Sequence, residues 1–392
     1  MRRYLMATFA AWAVGAAILR STLLAPQHCP AITAEDARAA ALLAADWIAA
    51  NQYPDGSYVY EYSIDDDTDL PGYNVVRHAG VTMSLYQLAA AGEPSALRPA
   101  DLGLEWMLRN LFHHDGWAAL RDPADGSVRL GASALMLAGL LQRRLATGDP
   151  RYDGLARELA RGMLELQLPD GAFLNRWDPA VNAPVPGERS RYATGEAFWA
   201  LTLMHRIFPG EGWDEPARRV ARYLAEDRDR VEGLKYPPWA DQWAAYGFGE
   251  MAAWGITNSE VAYLERLAGR FGLLVRAESA RRDSRRSELT RGRQARAAGA
   301  GTWGEGLAGL RQAALADPRL EHLLPAVDER LACIAGILAD RQVSAAEADA
   351  APNPERARGA WFTGGVTRMD DQQHALSALL IASQMIESRS QP

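Results

Sequence analysis

The chain has 392 residues, of which 48% are hydrophobic and 23% are charged, so its composition is that of a folded globular protein and excludes a disordered one. The net charge of −7 at pH 7 argues against a general nucleic-acid-binding protein, because such proteins carry a basic surface. The two cysteines, Cys29 and Cys333, could form a disulfide, but no cysteine cluster indicates a zinc site.

The first residues form a separate hydrophobic segment. Two arginines precede an uncharged run from Tyr4 to Leu19, which Arg20 interrupts. A membrane-spanning helix needs about 20 apolar residues, and this segment reaches that length if Arg20 extends to the membrane interface. We interpret residues 1–25 as an uncleaved signal-anchor with its basic end inside, with a cleaved signal peptide as the second interpretation and a helix buried in the domain as the third. The first two place the body outside the cytoplasm, and the favoured signal-anchor predicts an inner-membrane-anchored protein with its body in the periplasm.

Three stretches of the body repeat the same pattern, in which a helix ends, Asp-Gly follows and an aromatic or apolar residue comes next. They are WIAANQYPDGSYVYEY, WMLRNLFHHDGWAALRD and GMLELQLPDGAFLNRWD. Their aspartates are Asp55, Asp115 and Asp170, so the period is 55 to 60 residues. Asp-Gly favours a tight turn because glycine accepts a positive φ.

Amphipathic helices are predicted before the turns and more apolar helices, rich in small residues, after them. The amphipathic helices are predicted at about 33–51, 98–112, 151–167, 213–226, 258–278 and 319–340. The apolar helices are predicted to start near Tyr73, Val128, Arg191, Asp241, Trp303 and Asp371. No run of residues shows a convincing strand alternation.

Six such pairs predict an all-α (α/α)6 toroid of six helical hairpins over residues 33–388, with amphipathic helices outside and apolar helices inside. A linker at 26–32 precedes it and a tail at 389–392 follows. An open superhelical array is the alternative, although its repeats are usually shorter. In a closed toroid every inner helix starts at the same face, so polar residues at these starts line one cleft, where the helix N-termini favour an anionic group.

The body resembles the six-hairpin toroid superfamily, which includes glycoside hydrolases, uronyl hydrolases and polysaccharide lyases. The stretches YNVVRHAGVTMSLYQLA and YATGEAFWAL also resemble helical domains of the D-glucuronyl C5-epimerase type. The turns LQLPDGAF and NQYPDGSY are similar to the Q-x-x-D-G-S-W repeats of terpenoid cyclase and prenyltransferase toroids. These resemblances concern architecture and short turns, and they leave the reaction open.

The first inner helix begins with Tyr73, Arg77 and His78. Arg77 and His78 are neighbours, about 100° apart on the helix, so they cannot point the same way. In one interpretation Arg77 binds a carboxylate or phosphate and His78, with Tyr73, exchanges a proton. In the other they tie a loop to the helix.

Glu196, in the third inner helix, shares a helix face with Tyr192. Among apolar neighbours its carboxyl either pairs with an arginine or has a raised pKa, as a general acid requires. In KYPPWADQW, Lys235 and Tyr236 precede Asp241, which we expect to cap the fourth inner helix. Aromatic side chains suited to stacking on sugar rings are Trp177, Trp239, Trp243 and Trp303.

The sixth inner helix carries the stretch TRMDDQQHALSALL, with Arg368, Asp370, Asp371 and His374. One aspartate is expected to cap the helix. The other could form an acid–base pair with His374, and Arg368 is a candidate for substrate binding.

Two charged stretches lie outside the inner-helix starts. The run IDDDTD matches the D-D-x-x-D pattern of class I isoprenoid synthases, but Pro71-Gly72 follow, so a solvated acidic loop is expected. Ca²⁺ binding by the alternating Asp65, Asp67 and Asp69 is the alternative. Residues 275–301 are the most basic of the chain; we expect a helix extension and an exposed linker, which could touch anionic glycan or lipid head groups.

The first functional hypothesis is an exported, membrane-tethered enzyme acting on a polysaccharide or glycolipid, with acidic sugars favoured and no cofactor. Hydrolysis would use Glu196 with Asp370 or Asp371. Uronate epimerisation or β-elimination would instead use the His78 and Arg77 region.

Two alternatives belong to other classes. A terpenoid-type toroid predicts a deep, dry, aromatic pocket with the acidic stretch facing inward. A non-catalytic envelope scaffold predicts that the polar groups of the inner helices pair with each other and leave no open cleft.

Overall fold

The computed structural model describes residues 2–22, 24–234 and 239–390. Helices dominate this part of the chain. In chain order they are α1 (Arg2–Ser21), α2 (Ala34–Ala50), α3 (Val75–Ala90), α4 (Leu97–Arg109), α5 (Leu130–Thr147), α6 (Asp153–Leu164), α7 (Ala193–Ile207), α8 (Asp214–Arg222), α9 (Arg228–Val231), α10 (Gln242–Met251), α11 (Asn258–Ser279), α12 (Arg285–Arg291), α13 (Ala297–Ala316), α14 (Leu324–Asp340), α15 (Ala345–Ala348), α16 (Pro354–Ala357) and α17 (Met369–Ser390).

The inner helices form a closed ring. Helix α3 packs against α5, α5 against α7, α7 against α10, α10 against α13, α13 against α17, and α17 returns to α3. The helices α2, α4, α6, α8, α11 and α14 pack around this ring. The predicted (α/α)6 toroid is therefore confirmed, and an open array is excluded because its first and last inner helices would not touch.

Small residues allow the inner helices to approach closely. A Cβ added at Gly301 of α13 would lie 2.4 Å from the main-chain carbon of His374 in α17. A Cβ at Gly309 would lie 2.4 Å from the main-chain carbon of Ala245 in α10. Side chains at these positions would push the ring apart, which explains why the inner helices are rich in glycine and alanine.

Three small antiparallel sheets differ from the sequence prediction, which contained no strands. Their strands are β1 (Glu61–Ser63), β2 (Thr68–Leu70), β3 (Leu111–His114), β4 (Trp117–Leu120), β5 (Val128–Arg129), β6 (Arg176–Asp178), β7 (Ala183–Pro184) and β8 (Val366–Arg368). The strand orders are β2-β1-β8, β3-β4 and β5-β6-β7. Strands this short give no detectable alternation. The pairing of β1 with β8 links the sixth hairpin to the first, so it helps to close the ring.

The predicted Asp-Gly turns lie between outer and inner helices. Gly56, Gly116 and Gly171 have φ values of 90°, 79° and 94°. At Gly171 a Cβ would lie 2.1 Å from the carbonyl oxygen of Arg219. Glycine is therefore required there both by the backbone conformation and by the packing of α8.

The N-terminal helix α1 does not pack in the toroid. Its stretch Arg3–Ser21 is long and apolar enough to cross a membrane, and none of it is buried. The interpretation as a buried helix is therefore wrong. After α1 the chain runs along the body, where Cys29 forms a disulfide with Cys333 of α14. The cap residue Thr33 then starts α2.

The basic stretch is more ordered than expected. Helix α11 extends to Ser279 as predicted, but α12 follows, and the fifth inner helix begins at Ala297 rather than near Trp303. Buried Glu278 pairs with Arg281 and Arg341, which holds the stretch against α14. At the other end of the chain α17 runs through Ser390, so the first residues of the predicted tail are helical.

Candidate active site

A cleft of about 400 Å³ opens at the end of the barrel where the inner helices begin. All six inner helices contribute residues from their first turns or from the residues just before them. The lining residues are Asn74, Val76, Arg77, Arg129, Gly131, Leu135, Asn175, Ser190, Tyr192, Ala193, Glu196, Gln242, Trp243, Ala298, Gly299, Thr302, Asp370, Gln373 and His374. Its size is that of a small-molecule or single-sugar site.

Five of the predicted site residues share this cleft although they are far apart in sequence. They are Arg77, Tyr192, Glu196, Trp243 and His374. The open cleft contradicts the scaffold alternative, which required a closed one. Its charged and amide side chains also differ from the dry aromatic pocket that the terpenoid alternative predicts.

Glu196 is a buried carboxyl group at the wall of the cleft. Only 4% of its surface is exposed. Burial, together with the nearby Asp241 carboxylate, raises its pKa to about 8, although His374 opposes this shift. Gly131 of α5 makes room for it, since a Cβ there would lie 2.2 Å from the Glu196 Oε2 atom. At neutral pH Glu196 therefore holds a proton that it can donate into the cleft.

His374 lies beside the cleft and is supported by the fifth inner helix. Its Nδ1 atom is 2.7 Å from Oε2 of Glu305, a fully buried carboxyl group. Burial opposes protonation of the ring, but the charge and hydrogen bond of Glu305 outweigh it and raise the pKa of His374. The Asp370 carboxylate acts on the ring in the same direction. The remaining nitrogen, Nε2, is available for acid–base chemistry in the cleft.

Asp370 and Arg77 form an ion pair across the junction of α17 and α3. The Arg77 Nε atom is 3.2 Å from Oδ2 of Asp370. The other side of the guanidinium donates to the Tyr60 hydroxyl at 2.7 Å. The Oδ1 atom of Asp370 is buried, and none of the described residues donates a hydrogen bond to it. The Asp370 side chain as a whole lines the cleft and is 13% exposed, while this one oxygen is unsatisfied beneath the surface.

The structure corrects the assignment of Asp371 as a catalytic residue. Its carboxylate is 1% exposed and accepts hydrogen bonds from Arg296 and from the main-chain N–H groups of Ala298 and Arg368. It therefore anchors the starts of α13 and α17, which is the capping role expected of one of the two aspartates, while its neighbour Asp370 faces the cleft.

His78 and Tyr73 also lie outside the cleft. His78 is fully buried between the Tyr73 hydroxyl, 2.6 Å from Nδ1, and the Gly103 carbonyl, 2.9 Å from Nε2. Its ring stacks on Trp106 at 4.2 Å, and burial lowers its pKa to about 4. Both ring nitrogens are occupied, so His78 and Tyr73 tie α3 to α4 and its loop. The geometric expectation that Arg77 and His78 point apart is confirmed.

Of the four predicted tryptophans, Trp243 alone lies among the described lining residues; it stacks on Trp199 at 5.6 Å. Trp239 contacts the exposed ring of Tyr192 edge-on at 5.0 Å, at the rim. Trp177 packs on Trp117 in the small sheets, and Trp303 packs against the core.

Other predicted residues have structural roles outside the cleft. Arg368 pairs with Glu61 across the β1–β8 sheet at 2.9 Å. Asp241 caps α10, as expected, and is buried in an ion pair with Arg228. Lys235 and Tyr236 lie outside the described residues.

The acidic stretch forms an exposed turn between β1 and β2. Asp67, with φ 47°, accepts a hydrogen bond from Tyr62 at 2.8 Å, and Asp69 binds Tyr53 and Arg356. No group of three or more metal-binding side chains occurs in the part of the chain that the structure describes. The Ca²⁺ hypothesis for Asp65, Asp67 and Asp69 thus finds no support, and the stretch does not face the cleft as the terpenoid alternative requires.

Sequence reasoning missed several polar residues of the cleft. Arg129 precedes α5 and pairs with Asp122 and Asp125, while Gln242 begins α10. Both occupy the position that the repeat assigns to the cleft, namely the start of an inner helix. The position of each residue at the start of an inner helix is therefore the sequence signal that identifies Arg129 and Gln242 as cleft residues.

No protein-family model matches the sequence, and no curated protein matches it. Solved structures do match. The cellobiose 2-epimerase from Spirochaeta thermophila DSM 6192 is 12% identical with a TM-score of 0.58, over 87% of this chain and 93% of that one. An α-1,6-mannanase of Salegentibacter sp. HEL1_6 is 14% identical with a TM-score of 0.59, over 89% and 99%. An unsaturated glucuronyl hydrolase specific for heparin is 12% identical with a TM-score of 0.57, over 90% and 98%. These similarities show that the chain has an (α/α)6 toroid fold.

Proposed function

We propose that the protein is a glycoside hydrolase whose cleft binds one sugar unit next to the scissile bond. The observation that carries this proposal is the pairing, in one cleft, of a buried carboxylic acid with a carboxylate. Glu196 is protonated at neutral pH and acts as the general acid. Asp370 is held by Arg77, and its partly exposed carboxylate lines the cleft, where it activates water or attacks the anomeric carbon. Two carboxyl groups in such different surroundings can act as the acid and the base of one reaction.

A neutral sugar fits this cleft better than the acidic sugar expected from the sequence. Recognition of a uronate needs a cation that is free to bind its carboxylate. Arg77 already pairs with Asp370 and donates to Tyr60, and Arg129 already pairs with two aspartates. Gln242 offers an amide group, and Asn175, whose Nδ2 atom already donates to Glu188, offers its amide oxygen. Both suit hydroxyl groups of a neutral sugar.

The pairing of His374 with Glu305 favours a second candidate, a sugar epimerase or isomerase. A histidine whose Nδ1 is held by a carboxylate can move a proton to and from a carbon of the sugar through Nε2. Structures of an epimerase and of a D-mannose isomerase share the fold, at TM-scores of 0.58 and 0.60. A hydrolase breaks a glycosidic bond, whereas an epimerase or isomerase breaks and re-forms a C–H bond. One experiment can therefore distinguish the two candidates.

The test incubates the enzyme with neutral and uronate-containing oligosaccharides in D₂O. Reducing ends are quantified, and deuterium at sugar carbons is followed by NMR. We expect new reducing ends from a neutral oligosaccharide without deuterium at carbon. Glu196→Gln and Asp370→Asn should each lower kcat by at least about 100-fold, whereas Glu165→Gln, an exposed control, should not. Incorporation of deuterium at a sugar carbon without new reducing ends would instead indicate an epimerase or isomerase. In that case His374→Asn should abolish the incorporation.

We also propose that α1 anchors the protein in the cytoplasmic membrane with the toroid on the outer side. Its exposed apolar side chains, such as Phe9 and Trp12, support this proposal. The disulfide supports it independently, because disulfides persist in oxidising compartments. The intact mass of the protein extracted from membranes tests it. A mass that includes residues 1–25 is expected, and the loss of this segment would show a cleaved signal peptide instead.

A further inference from the structure

The segment between α11 and α13, residues 280–296, is here named the basic insert. It connects an outer helix to an inner helix, so it lies at the cleft face of the toroid. Its far end touches the site region, because Arg296 binds Asp371, the neighbour of Asp370. The insert therefore belongs to the rim of the cleft, although none of the catalytic proposals uses its other side chains.

The charge of this region opposes that of the whole chain. Residues 275–301 contain eight arginines and three acidic residues, in a chain with a net charge of −7. Arg282, Arg285 and Arg286 are exposed. No acidic side chain among the described residues pairs with these three, whereas Arg293 is paired with Glu288. The guanidinium of Arg282 donates to the main-chain carbonyls of Ser279 and Arg281, but its charge is not neutralised. All three positive charges are thus presented to the surroundings.

A large apolar side chain stands among these arginines. Leu289 of α12 is 87% exposed, more than any other large hydrophobic residue described. It follows Arg285 by four positions and Arg286 by three, so the three side chains share one face of α12. An exposed leucine beside exposed arginines suits contact with an anionic membrane surface, because the leucine can enter the headgroup region while the arginines meet lipid phosphates.

The insert is attached to the end of the proposed membrane anchor. The Arg291 Nε atom donates to the main-chain carbonyl of Ser21, the last residue of α1, at 2.9 Å. Seven residues later, the N–H of His28 donates to the Ser279 carbonyl at the end of α11. The basic insert therefore lies where α1 would leave the bilayer.

We propose that the basic insert docks on anionic phospholipid headgroups of the leaflet from which α1 emerges. The exposed arginines without an acidic partner bind phosphate groups, and Leu289 enters the headgroup region. Docking holds the mouth of the cleft close to the membrane surface, which suits a membrane-associated glycan or glycolipid. The proposal rests on anchoring by α1 but not on the reaction catalysed in the cleft.

The experiment uses the full chain in nanodiscs with an environment-sensitive dye on a single introduced cysteine. The two natural cysteines are bonded to each other, so Leu289→Cys can be labelled without reduction. Leu315→Cys, 60% exposed near the end of α13, reports on the opposite end of the barrel as the matched control. Dye emission is compared in phosphatidylcholine nanodiscs with and without phosphatidylglycerol, and at low and high salt.

We expect a blue shift at position 289 with phosphatidylglycerol, its reversal by high salt, and no shift at position 315. Each of Arg282→Gln, Arg285→Gln and Arg286→Gln should lower the ratio of docked to undocked insert about fivefold. Equal emission at position 289 in both nanodiscs would overturn the proposal. A larger blue shift with a soluble anionic polysaccharide than with phosphatidylglycerol would overturn the proposal and indicate that the insert binds a glycan. A chain that fails to enter phosphatidylcholine nanodiscs would instead refute anchoring by α1.

Discussion

Replacing Glu196 with glutamine should inactivate the enzyme and stabilise its fold at the same time. The pKa of Glu196 is about 8 in the folded protein, against 4.5 for a free glutamate. Between these pH values the folded protein binds a proton that the unfolded chain lacks. The free energy of unfolding of the wild type must therefore fall as the pH rises through this window.

The change in the free energy of unfolding can be calculated from the pKa shift of Glu196. Each pKa unit corresponds to about 1.4 kcal/mol. Burial of Glu196 thus costs up to about 3 kcal/mol at pH 7 and up to about 5 kcal/mol above pH 8, and almost nothing near pH 4.5. Glutamine has nearly the same shape and no charge to bury. The variant Glu196→Gln should be more stable than the wild type by up to these amounts.

The difference in the free energy of unfolding between the wild type and Glu196→Gln is measured by urea unfolding without reductant, at about pH 5, 7 and 8.5. The advantage of the variant should grow with pH while its kcat stays at least about 100-fold below that of the wild type. Glu165→Gln, on the exposed surface after α6, should show no such trend. A stability difference that is the same at all three pH values would refute the raised pKa and, with it, the role of Glu196 as a neutral acid.

Three further predictions concern groups that the fold buries or links. Replacing both disulfide cysteines with serine should lower the free energy of unfolding by about 2–5 kcal/mol; an unchanged urea midpoint would contradict this. Arg228→Met should lower it by about 3–5 kcal/mol because it leaves the carboxylate of Asp241 buried and unpaired, and adding Asp241→Leu should recover most of the loss. Glu305→Gln should lower the pKa of His374, measured by NMR titration of the imidazole signals, and an unchanged titration would show that Glu305 does not control the ring.

The repeat in the sequence was sufficient to predict much of the site. A period set by helix length and Asp-Gly turns implies that inner helices start at one face, so residues near Arg77, Glu196 and His374 had to share a cleft. The burial of Glu196 among apolar neighbours was likewise readable from its own helix, since alanine, phenylalanine and tryptophan surround it in YATGEAFWAL.

The division of roles between adjacent residues was not predictable in the same way. Asp370 and Asp371 have the same chemistry, but about 100° of rotation sends one to the cleft and the other to Arg296. His78 was assigned to catalysis because of its residue type. Its burial depends on Trp106 and Gly103 of α4, whose contacts with α3 cannot be inferred from α3 alone.

The sequence by itself determined the helix pairs, their order, the turn glycines and the hydrophobic N-terminal segment, because each depends on local periodicity and backbone preference. Only the tertiary structure decided which side chains reach the cleft, which carboxyl groups meet an arginine, and that Cys29 lies beside Cys333. These properties depend on how neighbouring helices are rotated and spaced when they pack. Burial and charge then set the protonation of Glu196 and His374, and no short stretch of sequence contains that information.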